Sequence, residues 1–351
     1  MAVAFINTRR WRIIRFYCIG WTLAFVFLSI VRGVGTTELG SLKFDFLSSL
    51  SISITLGPVI GLISGFAQIL TEERVQKYRS LITLLIFRMI YGILFLMLLV
   101  LGAYVVYQFY FGTSLGIVAF AIDAGSGAIY FYVLSVDVFL TFLRQINLML
   151  GEGNLKKLVQ GKFLVPREEE RIFMFLDLQS STQLAEQLGH VNYSLLIQDC
   201  FNDLGNAIAN NPAEIYQYVG DEAVLTWSLM SGIKNENGLK SFFNFKMTLE
   251  KKRDYYEKKY GVLPFFKAGM HSGMVTVTEV GKYKKEIAYH GDTLNTAARI
   301  QGQCNVLESE LLISEILADN FNSDAYTFTA MGSISLKGKE EKVALFAVSQ
   351  K

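Results

Sequence analysis

Apolar positions fall along this chain in two different patterns. Through the first 145 residues they run almost without a break: residues 16–31, 46–71 and 89–122 contain no Asp, Glu, Lys or Arg, and the stretch from Ala128 to Leu143 contains a single charge, Asp137. Spans of about 20 apolar residues cross a bilayer, so this pattern predicts four membrane helices near 13–31, 47–70, 81–104 and 125–145, within a domain of residues 1–145. Pro58, with Gly57 and Gly61 nearby, is expected to kink the second helix. Lipid tolerates such a kink where neighbouring helices cover the freed carbonyls.

From Gly151 the pattern changes. A short polar linker, 146–170, leads to β-prone runs that alternate with segments of helical period. Strands are expected at 171–178, in a hairpin over 213–229, near 265–279 and 283–289, and near 310–313, 326–336 and 342–348. Helices are expected from Ser180-Ser181-Thr182 through Leu188, from Asn192 to Ala209, and over about 238–260. Helices alternating with hairpins indicate an α+β fold rather than a doubly wound sheet.

Composition sharpens the division. A chain of 351 residues that is 52% hydrophobic is too apolar for an ordinary soluble protein. Arg9, Arg10, Arg12 and Arg15 precede the first predicted span, Arg74, Lys77 and Arg79 follow the second, and Arg144, Lys156, Lys157 and Lys162 follow the fourth, whereas the alternate loops hold Arg32 and Lys43. The positive-inside rule then puts both termini in the cytoplasm of a multi-pass protein of the cell (inner) membrane. Arg88 and Asp137 sit near the cytoplasmic ends of helices three and four, where they either pair or snorkel to the headgroups. A net charge of +2 gives no reason to expect a nucleic-acid partner. Cys18, Cys200 and Cys304 are scattered, which suits reduced thiols, and no Cys or His pair has the spacing of a zinc site.

Chemistry concentrates in the second half. Phe173-Met174-Phe175-Leu176-Asp177-Leu178 ends a β-prone run on an acid, and 44 residues after Asp177 a second acid follows a glycine in Tyr218-Val219-Gly220-Asp221-Glu222. Two carboxylates at strand ends can share a pair of divalent ions, which clamp the attacking and leaving oxygens of an in-line phosphoryl displacement. Further on, Asn295 and Arg299 are four apart in Tyr289-His290-Gly291-Asp292-Thr293-Leu294-Asn295-Thr296-Ala297-Ala298-Arg299, which puts an amide and a guanidinium on one helix face. Each feature alone has a plain structural explanation as a cap, a turn or a solvated face. Their conjunction does not.

At these residues the chain resembles the class III nucleotide cyclases, the family of adenylate and guanylate cyclases. The resemblance runs from about Arg171 to Val348 and rests on five elements in order: the Phe-Leu-Asp-Leu strand, the Gly-Asp hairpin, the Gly-Met-His-Ser-Gly stretch from Gly269, the Asn/Arg helix, and Leu336-Lys337-Gly338-Lys339. It implies a ferredoxin-like βαββαβ catalytic domain over 171–351, with nucleoside triphosphate bound between two such domains in a homodimer. It also implies two Mg2+ or Mn2+ ions per site, held by Asp177 and Asp221 with the Leu178 carbonyl as a further ligand. Backbone amides around Ser181 and Thr182, at a helix N-terminus, are expected to cradle phosphate oxygens. Arg299 is expected to stabilise the pentavalent phosphorus, Asn295 to orient the ribose, and Lys337 or Lys339 to reach the terminal phosphates.

The base-selecting positions depart from the family's pattern. Adenylate cyclases typically carry Lys with Asp or Thr there, and guanylate cyclases Glu with Cys; this chain has Gln217 and Ala288. A glutamine amide fits either purine edge, and alanine reads nothing by hydrogen bond. ATP is the expected substrate because adenylate cyclases are commonest among bacterial members with this membrane arrangement. The alternatives are a guanylate or other nucleotide cyclase, or a catalytically silent cyclase-like module for sensing or dimerisation, against which the retention of both acids with Asn295 and Arg299 argues. A diguanylate cyclase would continue its first metal strand as Asp-x-Asp-x-Phe-Lys, which residues 178–182 do not.

Overall fold

The computed structural model describes residues 8–35, 46–75, 81–112, 116–151, 153–209, 211, 213–335 and 342–351. The chain divides into two compact units, Met1–Met149 and Leu150–Lys351.

The first unit consists of helices and short turns among its described residues. Helix α1 (Thr8–Gly35) is followed by α2 (Phe46–Leu70), which passes into a π-helical turn (Thr71–Val75). Then come α3 (Leu81–Phe111), the short α4 (Ile117–Ala121) and α5 (Ala124–Met149). Among the described residues, three stretches are long and apolar enough to cross a membrane, Arg9–Arg32, Phe46–Glu73 and Ser126–Met149, and α3 carries the shorter apolar stretch Ile90–Val106. Helix α2 runs through Pro58, whose carbonyl accepts a hydrogen bond from Cys18 Sγ at 3.4 Å.

Two stripes on α2 hold this unit together. Gly57, Gly61 and Gly65 let the α1 backbone come close: a Cβ at Gly61 would lie 2.3 Å from Cys18 Cα, and one at Gly57 would lie 2.6 Å from Thr22 Cα. Such approach is the usual source of helix association in lipid, where burial of apolar surface gives no drive. Ser64, Gln68 and Glu72, again four apart, form the polar stripe. Ser64 Oγ donates to Asp137 Oδ1 at 3.0 Å, and Tyr17 donates to Gln68, which donates to Glu72. Glu72 also receives Arg144 Nε and Arg9 Nη2, both at 2.8 Å. Asp137 therefore has a partner on α2; the side chain of Arg88, with which a pairing was considered, lies outside the described residues.

The second unit begins with α6 (Asn154–Val159) and β1 (Arg167–Leu178), followed by α7 (Ser181–Ala207), β2 (Glu214–Val219), β3 (Glu222–Ser228) and α8 (Leu229–Ile233). Next come α9 (Asn237–Lys251), α10 (Arg253–Tyr260), β4 (Phe266–Val280), β5 (Glu286–His290) and α11 (Asp292–Gly302). Strand β6 (Leu311–Ser314), helix α12 (Glu315–Ala318) and strands β7 (Tyr326–Ile334) and β8 (Val343–Gln350) complete it. The sheet order is β2-β3-β1-β4-β6-β8-β7, with β5 paired to β4. Strand β1 lies between β3 and β4 and is antiparallel to both. With α7 after β1 and α9 between β3 and β4, the first four strands have the ferredoxin-like βαββαβ order. Helix α7 joins two segments at Gly189 (φ 70°, ψ 162°), and the helix expected over 238–260 is divided at Lys252.

Alternation along β1 decides what faces where. Ile172, Met174, Leu176 and Leu178 enter the main core with Leu196, Leu204, Phe242 and Phe245 from α7 and α9. Phe173 and Phe175 point to the other face, among Val275, Val277, Tyr289 and Ala297. Successive strand side chains alternate between faces, so Asp177 follows Phe173 and Phe175 toward the side where α11 lies.

The segment ahead of β1 is docked. Phe163 is buried in the second cluster, its carbonyl accepts the Glu279 N–H at 2.9 Å, and Lys157 pairs with Glu214 at the start of β2. Glu214 also lies 3.3 Å from the buried Arg171, whose guanidinium sits 4.9 Å from the centre of the Tyr289 ring. On the opposite side, buried Asp199 of α7 accepts Tyr255, Lys259 and Tyr260, which fixes α10 against α7.

Candidate active site

Asp177 is the penultimate residue of β1, with Glu222 of β3 opposite it on one side and Lys267 of β4 on the other. The β2–β3 hairpin turns through Gly220, whose φ of 62° suits glycine, and this places Asp221 next to Glu222. Three half-buried carboxylates thus lie near enough at the ends of β1 and the hairpin to feel one another's charge. Burial, and then the charge of Asp221, raise the Asp177 carboxyl above the ordinary carboxylate range, while its hydrogen bonds from Gln301 and the Leu178 amide pull the other way. Burial, then Asp177 and Asp221, push Glu222 up to about 7. Mutual repulsion of these acids, added to their burial, makes the site favour a bound proton or cation.

Beside Asp177 an open cavity of about 400 Å³ is lined by Leu178, residues 179–183 at the start of α7, Lys267, Gln301 and Asn305. Ser180 adopts φ 58° and precedes the first turn of α7, so the amides of Ser181 and Thr182 belong to a helix N-terminus, where anions are favoured. Leu184, buried in the core, anchors that turn. Tyr193 of α7 is also near: burial, then Asp221, raise its hydroxyl.

The remaining expected site residues lie elsewhere on the unit. Asn295 is exposed and Arg299 half-buried on α11, with Arg299 Nη1 3.9 Å from Asp292 Oδ1, and neither lines the cavity. Gln217 is exposed on β2, which bulges between Ile215 and Gln217, and Ala288 is half-buried on β5. Their neighbours Tyr216 and Tyr289 touch, ring centroids 5.0 Å apart, which brings the two strands together there. Lys337 and Lys339 lie outside the described residues.

The structure adds residues that the sequence reading passed over. Glu222 has no role in the expected site, but the β1–β3 register brings it opposite Asp177. Lys267, Gln301 and Asn305 line the cavity, with Lys267 Nζ donating to Asn305 Oδ1 at 2.9 Å and Gln301 Nε2 to Asp177 Oδ2 at 3.3 Å. Lys267 was within reach of a register argument, since it pairs with Asp177 once β1 and β4 are aligned.

Divalent cations fit this donor set. Among the described residues no group of three or more His, Cys, Asp or Glu side chains converges as a closed cage. Two carboxylates with room for further oxygens is the hard, open arrangement that Mg2+ accepts, since it keeps waters and takes substrate phosphates as ligands.

Residues 165–350 match the model of the adenylate and guanylate cyclase catalytic domain family, and the chain belongs to that family. It is 29% identical over 219 residues to adenylate cyclase 2 of Rhizobium meliloti, covering 62% of this chain and 60% of that one. It is 24% identical over 215 residues to the receptor-type guanylate cyclase gcy-10 of Caenorhabditis elegans, covering 58% of this chain and 19% of that one. The chain therefore spans less than two thirds of the length of either relative. The structure is similar to that of a bacterial light-regulated adenylyl cyclase, with a TM-score of 0.55 over 66% of this chain and 68% of that one at 18% identity, a likeness of fold.

Proposed function

We propose that the protein is a membrane-bound nucleotide cyclase that converts ATP to 3′,5′-cyclic AMP and pyrophosphate in a homodimer with shared sites. The ribose 3′-oxygen attacks the α-phosphorus as the bond to pyrophosphate breaks, and the hydroxyl proton leaves to solvent. The observation that carries this reading is the division of the site within one chain. Asp177 and the start of α7 line one cavity, with Asp221 near enough for its charge to raise the Asp177 carboxyl, whereas Asn295, Arg299, Gln217 and Ala288 do not line it.

Asp177, Asp221 and the Leu178 carbonyl would hold two Mg2+ or Mn2+ ions, which when bound supply an acidified 3′-hydroxyl and charge compensation on the leaving group. The amides of Ser181 and Thr182, with Lys267, bind triphosphate oxygens on the same chain, and Lys337 or Lys339 reaches the terminal phosphates. Arg299 of the second chain donates to the α-phosphate oxygens as negative charge builds, and Asn295 holds the ribose. Gln217 offers its amide to the base edge, and Ala288 leaves room beside it. The apolar stretches of the first unit anchor the enzyme in the cell membrane with both termini in the cytoplasm, where nucleotides are available.

Incubating the purified full chain with an equimolar mixture of ATP, GTP, CTP and UTP and Mn2+ tests this reading. Cyclic AMP is the expected main product. Cyclic GMP as the main product would transfer the assignment to a guanylate cyclase, and no cyclic nucleotide from well-folded dimer would make the domain a silent module.

A further inference from the structure

The bond between helix α11 and the first acid belongs to no expected role of that helix. Gln301 stands on α11 two residues beyond Arg299, about 200° further round the helix. It faces its own chain's Asp177, donating from Nε2 to Oδ2 at 3.3 Å across the cavity. Gly269 makes this reach possible. A Cβ there would lie 2.1 Å from the Gln301 backbone nitrogen and 2.8 Å from the Ala297 carbonyl oxygen, so glycine lets α11 sit directly on β4. Gly269 pairs with Phe175 and Lys267 with Asp177, which puts the seat of the helix two residues along β4 from the acid's own partner.

We propose that Gln301 is a positioning residue for metal binding: its amide fixes the Asp177 carboxylate so that the remaining lone pairs face the cavity. This inference rests on the proposed role of Asp177 as a metal ligand. The chemistry of the side chain suits the task. A neutral amide donates one bond without the positive charge that would repel a cation, and an ionised carboxylate in its place could not donate at all. Groups that hydrogen-bond a ligating carboxylate set its orientation, and losing them typically costs about 10–100-fold in metal affinity or activity. Because α11 also carries Asn295 and Arg299, one rigid helix positions the metal acid of its own chain and presents the Asn/Arg pair on another face.

The test is Mn2+ binding without nucleotide, measured by the EPR signal of free Mn2+ on the full chain in detergent. Wild type, Asp177→Ala, Gln301→Met and Gln301→Asn are compared, the last keeping the amide but drawing it back by one methylene. Asp177→Ala should weaken binding most. Both Gln301 variants should raise the Mn2+ Kd by about tenfold with an unchanged melting temperature, and should raise the Mn2+ concentration for half-maximal turnover while leaving kcat at saturating Mn2+ near wild type. Wild-type Mn2+ affinity in a folded Gln301 variant, alongside weakened binding in Asp177→Ala, would overturn the positioning role and leave the metal assignment standing. Equal affinity in wild type and Asp177→Ala would remove the metal assignment, and this inference with it.

Discussion

Asp177 and Glu222 stand opposite each other in the antiparallel β1–β3 ladder, so a single cross-strand pair consists of two carboxylates with Asp221 next in the chain. Like charges directly opposite are destabilising in a sheet. The arrangement becomes reasonable as a seat for cations, and its cost has a pH signature.

Glu222 is pushed up to about 7 by burial and by its two acidic neighbours, and Asp177 is raised in the same way. An unfolded Glu titrates near ~4.3. Because the folded value is the higher one, folding takes up a proton between these limits, so this contribution is fully present below about 4.3 and is lost as pH rises through about 7. Metal-free protein held in chelator should therefore lose stability across that window, and Glu222→Gln should flatten the slope. Discounted for its half-exposed position, the effect is on the order of 1 kcal/mol. Thermal melts against pH measure it, and an unchanged slope in Glu222→Gln would assign the effect to other groups.

The proposed division of the site between two chains predicts complementation. Asp221→Ala and Arg299→Ala should each lower turnover by about two orders of magnitude or more. Co-expressed, they form mixed dimers in which one chain supplies Arg299 and the other both acids. With random pairing about half the dimers are mixed and each has one working site of two, so activity should return to roughly a quarter of wild type. Mixed dimers that are shown to form and yet stay inactive would mean that each chain builds its site alone.

The base contact proposed for Gln217 can be tested by substitution. Lysine there should favour ATP and glutamate GTP, each by about 1–3 kcal/mol in the ratio of kcat/KM values, the worth of one buried hydrogen bond. Ratios that do not move in either variant would place base selection at other residues.

In the first unit, Gly61→Leu should break the seam between α1 and α2, since the added Cβ alone would lie 2.3 Å from Cys18 Cα. The expected result is loss of folded protein in detergent, or a destabilisation of more than about 3 kcal/mol, at the upper end of overpacking costs. Gly102→Ala is the control, because a Cβ at Gly102 meets nothing within 4 Å. Equal melting temperatures for the two variants would mean that α1 and α2 do not meet at this glycine.

Much of this was legible in the sequence because it is local. The charge-free runs revealed an apolar half from composition alone, and β-prone runs ending on Asp177 and turning at Gly220-Asp221 revealed the strands. What escaped depends on register and on close packing between distant segments. Nothing local marks Glu222 in the hairpin, and only the alignment of β3 with β1 brings it opposite Asp177. Gln301 followed the Asn/Arg pair with no period or motif to mark it, and only the seat of α11 on Gly269 brings it to Asp177. The docking of the linker through Phe163 escaped for the same reason, since the three-residue apolar run Phe163-Leu164-Val165 is too short to show a period.

The polar ladder of Ser64, Gln68 and Glu72 restricts how the first unit can move. A purely greasy helix can turn about its own axis in lipid and exchange one apolar face for another at little cost. Helix α2 resists this, because turning it would break its hydrogen bonds with Asp137, Tyr17, Arg144 and Arg9, and bonds between buried polar groups are costly to lose. Helices α1, α2 and α5 are keyed together like a lock whose pins are already set, so they shift as a block and do not roll past one another.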